Sequence, residues 1–358
     1  MIGDKIVVDA VVHPWNLGVE NQNPEAEAQL EAVYAAHQLS VDPAHKEYVL
    51  SRREFFTDIG FETVAQAEFV ESSVDMAIIH SLPNLGFALS YVTDPYVAAA
   101  CRDRYPNRFK LYATVDTPLV HTAIEQLTRQ VGELGVDGLK LYPAFFYGGI
   151  GEGWRLDGAD YATPLLEAAR RLGIRHVAIH KALWLAPAPR DAFRVDDLDS
   201  PLARFPDLTF EIVHGGAAFL DETLELLEAH PNLYLTLETT FSYILVKPRV
   251  FAMILGKLIR RCGSERLLFA SGNNLAHPAP ILEAFCDYQF PEESVAEFGL
   301  KPLTDLDRSN ILGFNALRLH NIVPDQLLGS VSNDDFARQR RLGHAGPWSR
   351  IRDLGKEA

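Results

Sequence analysis

Val7-Val8-Asp9-Ala10-Val11-Val12-His13-Pro14-Trp15 is a run of small and β-branched apolar residues that stops at a histidine. Nearly continuous apolar character marks a strand covered on both faces, as in a parallel sheet packed between helices. The run therefore reads as a buried first strand, spanning Lys5–His13, whose last residue points at solvent or substrate. Seven more runs share its character: Asp75–His80, Phe109–Val115, Val136–Tyr142, Ile174–His180, Leu208–His214, Asn232–Glu238 and Arg266–Ser271. Helical patterns lie between most of them, among them Ala123–Glu133, Thr163–Leu172, Leu220–Ala229 and Val250–Arg261. Strand–helix alternation repeated in this way predicts an α/β fold of the (β/α)8 barrel type, an architecture of about 250 residues. A doubly wound sheet is the alternative if fewer strands form.

The 358 residues leave a surplus with identifiable homes. Residues 1–323 are expected to form the barrel. Within it, 16–73 is rich in Glu, Ala and Gln and predicts a helical insertion over the barrel mouth. Phe145–Asp160 carries Gly148, Gly149, Gly151 and Gly153 and reads as a lid or as a plain surface loop. The polar, basic tail 324–358 is expected to pack on the barrel or on a partner subunit.

A formal charge of −15 opposes binding to DNA, RNA or anionic lipid, each of which selects a positive patch. Cys101, Cys262 and Cys286 are widely spaced, which suits a reducing compartment. Met1-Ile2-Gly3-Asp4-Lys5 does not open a basic-then-apolar leader, and no run reaches the roughly 18 apolar residues of a membrane span. The expectation is a cytoplasmic protein with a small-molecule substrate, no nucleic-acid or membrane partner, and a homodimeric state.

Parallel barrels place their active sites at the C-terminal strand ends. Those ends carry His13, His80, Asp116, Lys140 with Tyr142, His180, His214, Glu238 and Ser271, and the eighth continues into Gly272-Asn273-Asn274. Four imidazoles at strand ends, out of 12 histidines, favour a functional pocket over chance. Lys140 in an apolar strand is costly to bury unpaired, so it calls for Glu238 or a substrate carboxylate. His13, His180, His214, Lys140 and Glu238 are the candidate catalytic groups. Tyr142, Tyr147, Trp184, His80 and Asn273 are candidates for binding substrate. His80 also reads as a packing histidine, and His176 reads mainly as one. His277 lies within loop reach of the pocket. For His37, His45, His121, His230, His320 and His344, solvated surface is the default.

These segments, with Gly138-Leu139-Lys140-Leu141-Tyr142-Pro143, Val177-Ala178-Ile179-His180, Val213-His214-Gly215-Gly216 and Asn310-Ile311-Leu312-Gly313-Phe314-Asn315, resemble the amidohydrolase superfamily. The resemblance runs from Val7 to about Ile322 and is to the branch containing aminocarboxymuconate-semialdehyde decarboxylase, resorcylate decarboxylases and a pyrone-dicarboxylate lactonase. It implies the barrel fold. In metal-using members, strand one supplies His-x-His or Glu-x-His, strand five a histidine and strand eight an aspartate. Here His13 and His180 match, while Val11 and Gly272 stand where the other two ligands would be. A catalytic zinc usually takes three protein ligands. The resemblance thus implies a degenerate metal site, with His13 and His180 its weak remnant. The expected function is metal-independent hydrolysis of a small carbonyl or carboxylate substrate, without cofactor and with His214 as general base. The alternatives are a metal-dependent hydrolase or decarboxylase keeping one divalent ion such as Zn, and a non-catalytic ligand-binding barrel.

Overall fold

The computed structural model describes all residues except Leu85, Gly86, Ser90, Gly148, Gly149, Pro187, His344, Ala345 and Ala358; for residues 25, 146, 147, 150 and 354–357 it describes the backbone alone. Eight parallel strands form one sheet in sequence order. They are β1 (Val8–Val12), β2 (Met76–His80), β3 (Phe109–Thr114), β4 (Gly138–Leu141), β5 (His176–His180), β6 (Thr209–Val213), β7 (Leu233–Thr236) and β8 (Leu267–Leu268). The sheet curls until its edges meet. Ala10 N–H donates to Phe269 O at 2.9 Å, and Gly272 N–H donates to Val11 O at 3.1 Å. The (β/α)8 barrel is therefore the observed architecture, and each expected strand run contains one barrel strand.

Strand alternation sorts the side chains into two layers. Val7, Ile79, Leu111, Leu139, Val177, Ile179, Phe210 and Ile212 face outward into a large apolar shell shared with the helices. Leu127, Leu165, Leu166, Leu255 and Leu258 complete that shell from the helix side. Val8, Ala10, Met76, Ile78, Tyr112, Ala178, Val213 and Leu268 belong to a separate cluster inside the barrel. Barrel interiors are usually filled by branched aliphatics. This one also buries Lys140, Glu211 and His80, each at 0 % exposure.

The segment after β1 forms helices, the longest being Glu27–Ser40, which lies over the mouth. The glycine-rich segment after β4 is an antiparallel hairpin, Ala144–Tyr147 with Ile150–Gly153. A Cβ on Gly153 would meet Ala192 Cβ at 2.7 Å, so this glycine serves close packing against the loop after β5. Gly148 and Gly149, part of the expected lid, lie outside the described residues.

The tail is anchored. Trp348 N–H and Ser349 N–H donate to Glu71 at 2.7 and 3.0 Å, and Trp348 Nε1–H donates to Tyr48 O at 2.8 Å. The Trp348 ring is buried edge-on against Trp15, 6.2 Å between centroids. Two histidines expected on the surface are internal. His37 is fully buried and bonded to Leu275 O and to Leu50 N–H at 3.0 and 2.9 Å. His320 is half-buried and sits 3.2 Å from the Tyr112 hydroxyl. His37 reaches inward from the roof helix, and His320 from the turn that ends the helix Asn315–Leu319, each toward a residue distant in the chain.

Candidate active site

The strand ends of β1, β5, β6 and β7 deliver His13, His180, His214 and Glu238 to one cavity of about 200 Å³. Its upper wall is apolar, with Leu30 and Val33 from the roof helix and Phe87, Trp184 and Leu275 from mouth loops. Tyr142 lines it too, stacked on His180 at 5.2 Å and 30°. Lys140 lies beneath, fully buried, its Nζ 4.8 Å from the Tyr142 ring centroid and without a hydrogen-bond partner.

Hydrogen bonds fix the imidazoles. His13 Nδ1 lies 2.8 Å from His80 O, and a carbonyl only accepts, so Nδ1 carries the proton and Nε2 keeps a lone pair. His180 Nε2 donates to Leu183 O at 2.9 Å by the same logic. That leaves His180 Nδ1 to accept from His214 Nε2–H at 3.1 Å. His214 Nδ1 in turn lies 3.0 Å from Glu238 Oε2 and 3.1 Å from Thr239 Oγ1. His214 thus bridges the His180 ring on one side and the Glu238 carboxylate on the other.

Burial dominates the electrostatics. It pushes His13 down to about 4 and holds His180 and His80 well below the usual histidine range, so all three are neutral at pH 7. Burial lowers Lys140 to about 7, partly offset by the charges of Glu238 and Glu211. For Glu238, burial works upward, but the charge and hydrogen bond of His214, with His13 and Lys140, outweigh it and keep the carboxyl below its ordinary value.

Backbone strain gathers here as well. His214 has φ +65°, and Ala182, Thr239 and Gly272 around the same mouth have φ +58°, +62° and +54°. A non-glycine residue in the left-handed region costs about 1–3 kcal/mol and persists where the surroundings enforce it. Gly272 occupies the eighth-strand position that lacks the expected aspartate. A Cβ there would collide with the Glu238 carboxylate. Glu238, just past the end of β7, therefore fills the space beside Gly272.

Of the substrate-binding candidates, Tyr142 and Trp184 line the cavity. His80 does not; both its ring nitrogens are buried without partners and it stacks on Tyr112 at 4.8 Å and 13°. Asn273 sits behind the wall, its Oδ1 accepting from His13 N–H at 2.7 Å, and Asn274 lines the cavity instead. The Tyr147 side chain lies outside the described portion. His277 is buried behind the mouth, 3.2 Å from Glu71 Oε2. Sequence reading passed over Asp9. Its carboxylate accepts from Ser271 N–H and Val11 N–H, both at 3.1 Å, tying β1 to the end of β8. The signal was an acid inside an otherwise apolar run. The roof residues Leu30 and Val33 gave no local signal.

A family model described as Amidohydrolase matches residues 8–322. A search of curated proteins gives no match. Among solved structures, an uncharacterised TIM-barrel protein from Bordetella bronchiseptica superposes with a TM-score of 0.58 at 16% identity, covering 92% of this chain and 100% of that one. The 5-carboxyvanillate decarboxylase of Novosphingobium aromaticivorans, complexed with manganese, gives 0.55 at 14% identity over 89% and 97%. A 2,6-dihydroxybenzoate decarboxylase in complex with 2,6-dihydroxybenzoate gives 0.51 at 16% identity over 88% and 98%. The manganese in the Novosphingobium enzyme overturns the expectation of a cofactor-free protein. Donor chemistry here suits such an ion, since imidazole nitrogen and carboxylate oxygen both bind divalent metals. Placement is another matter: among the described residues, no group of three or more His, Cys, Asp or Glu side chains stands close enough to hold one.

Proposed function

Because the chain belongs to the amidohydrolase family, we propose that it is a metal-requiring lyase of the decarboxylase kind, acting on a small carboxylate with an apolar body. One observation carries the reading: an apolar-walled cavity stands over a floor of three imidazoles and a buried lysine, faced by a single carboxylate. An apolar body fills the wall side, and a carboxylate head meets the donors of the floor. His13 Nε2 and the Glu238 carboxylate are the donors that would meet a divalent ion; both ring nitrogens of His180 are engaged in this arrangement, so the side chains as they stand do not complete a three-ligand set. When bound, the ion would supply Lewis-acid polarisation of the substrate's oxygens.

Loss of CO2 leaves an electron pair on carbon, which must take up one proton. His214 is our candidate for giving it, because its ring lines the cavity beside Glu238. Glu238 then holds the ring in orientation, and the buried setting strengthens both contacts. General acid–base groups of this sort contribute typically about 10²–10⁴-fold. Hydrolysis, with His214 as base, is the competing reading. The two differ in product.

The test is release of CO2 from 2,6-dihydroxybenzoate and 5-carboxyvanillate by the purified chain, before chelation, after it, and after adding back Mn²⁺. Release should vanish with the chelator and return with the ion, in step with metal content measured on the same samples. Hydrolysis of ester or lactone substrates with no CO2 from any aryl acid would sink the lyase reading. Turnover indifferent to chelation would sink the metal requirement.

A further inference from the structure

The roof helix Glu27–Ser40 turns one stripe to the cavity, made of Gln29, Ala32, Val33 and Ala36, with Leu30 beside it. Spacings of three and four residues put these positions on one helix face. Four of the five are aliphatic, and one is a carboxamide. Gln29 stands beside Asn84, which follows β2 and lines the same cavity. Asn84 Nδ2 donates to Gln29 Oε1 at 2.8 Å. That bond takes up the Gln29 oxygen and leaves Nε2, which carries two N–H donors. Among the described residues no acceptor is bonded to it. The helix itself is fixed toward both ends. His37 Nδ1–H donates to Leu275 O at 3.0 Å and His37 Nε2 accepts from Leu50 N–H at 2.9 Å, while the other end is tied through Gln29 to Asn84. The amide is thus held in place before a ligand arrives, and a preorganised donor loses little freedom on binding.

We propose that Gln29 is a specificity-determining residue whose Nε2–H donors read an ether or carbonyl oxygen on the end of the substrate away from its carboxylate. The inference rests on the reading of the cavity as a site for small carboxylates with an apolar body, and it names the substituent that body carries. Placement follows from charge. The imidazoles and Glu238 stand at the strand ends, whereas none of the roof residues lining the cavity is charged. A carboxylate head at the strand ends therefore leaves the opposite end of the molecule under the roof. A purely aliphatic end would fill the space against Leu30 and Val33. It would also strip water from the Gln29 amide and leave its donors unmatched, a loss that exceeds what a satisfied hydrogen bond contributes. An oxygen acceptor satisfies the amide. A donor group such as an ammonium would set N–H against N–H and is rejected.

The test is calorimetric titration of the full chain at pH 8, in the presence of Mn²⁺, with isosteric acids that differ by one oxygen. The pairs are 4-methoxybenzoate against 4-ethylbenzoate, and the corresponding 3-substituted acids. The readout is the ratio of affinities within a pair, which cancels any general change in carboxylate binding. Wild type should favour the methoxy acid in at least one pair. Gln29→Leu removes both the donors and the Asn84 bond, and should move that ratio toward the ethyl acid by about three- to tenfold. Gln29→Glu keeps an oxygen for Asn84 Nδ2 but has no N–H once ionised, so it should move the ratio at least as far. An unchanged ratio in Gln29→Glu would show that the Gln29–Asn84 bond only braces the roof, and would overturn the proposal. So would a wild type without preference for either methoxy acid, or one that binds none of the four. CO2 release is scored separately. If the acids bind with the expected preference and none is decarboxylated, the lyase reading fails and the role of Gln29 stands.

Discussion

The mouth and the floor of this barrel both carry polar groups but treat the backbone differently. At the mouth, His214, Ala182 and Thr239 hold left-handed backbone conformations next to the cavity. At the floor, the polar groups His176, Tyr112 and Glu211 sit on regular parallel strands with unbroken register. Strain therefore marks where side chains must converge from several strand ends, whereas regular pairing suffices to stack groups along the barrel axis. The mouth should trade stability for activity, and the floor should not.

The largest break in that comparison is expected from His214→Ala. Turnover should fall about 10²–10⁴-fold. Folding stability, read by urea unfolding, should fall by about 1–3 kcal/mol, because Glu238 is left buried without the ring it faces. A larger loss would show that the ring is a structural strut. Gly138→Ala is the counterpart at the interior. Forcing a Cβ against the buried Tyr112 ring should cost about 1–3 kcal/mol of stability. Gly272→Ala should act at the mouth by displacing Glu238, lowering turnover at least tenfold, with a stability cost of order 1 kcal/mol for the left-handed backbone. If Gly272→Ala instead retains full turnover, the Glu238 position is not needed.

A smaller effect sharpens the picture through pH. The Lys140 amine falls from 10.5 to about 7 on folding, chiefly through burial. Between those two values the unfolded chain binds more protons than the folded one, so this group makes the wild type more stable as pH rises through that window. Below about 7 both states are protonated and the penalty is complete. Lys140→Met should therefore exceed the wild type in stability at pH 7, with the gap shrinking by about 1 kcal/mol per pH unit toward pH 10. A gap independent of pH would mean that Lys140 is not charged against its surroundings.

The barrel was legible because parallel strands buried on both faces have a simple signature. Val7 to Val12, Ala77 to Ile79 and Val177 to Ile179 read as strands without help from their neighbours. Strand ends were legible for a related reason: apolar runs stop where the chain meets the cavity, and His13, His180, His214 and Glu238 stand at those stops. What could not be read was set by contacts far apart in the chain. His37 owes its burial to Leu275, 238 positions away, and Tyr112 meets His320 over 208. Asn273 and Asn274 are adjacent and chemically alike, and only the turn after β8 decides that the second faces the cavity. The absence of a cofactor, inferred from Val11 and Gly272, treated each ligand position in isolation.

That last point has a reach beyond this chain. Glu238 projects from one strand into the place left bare by Gly272 on the next. A carboxylate thus stands at the rim beside Gly272 although Gly272 itself carries none. A template that demands an acid at the eighth strand would discard such a protein as inert. One that counts carboxylates within reach of the cavity would retain it, and would also flag relatives in which the acid has migrated to a neighbouring stave.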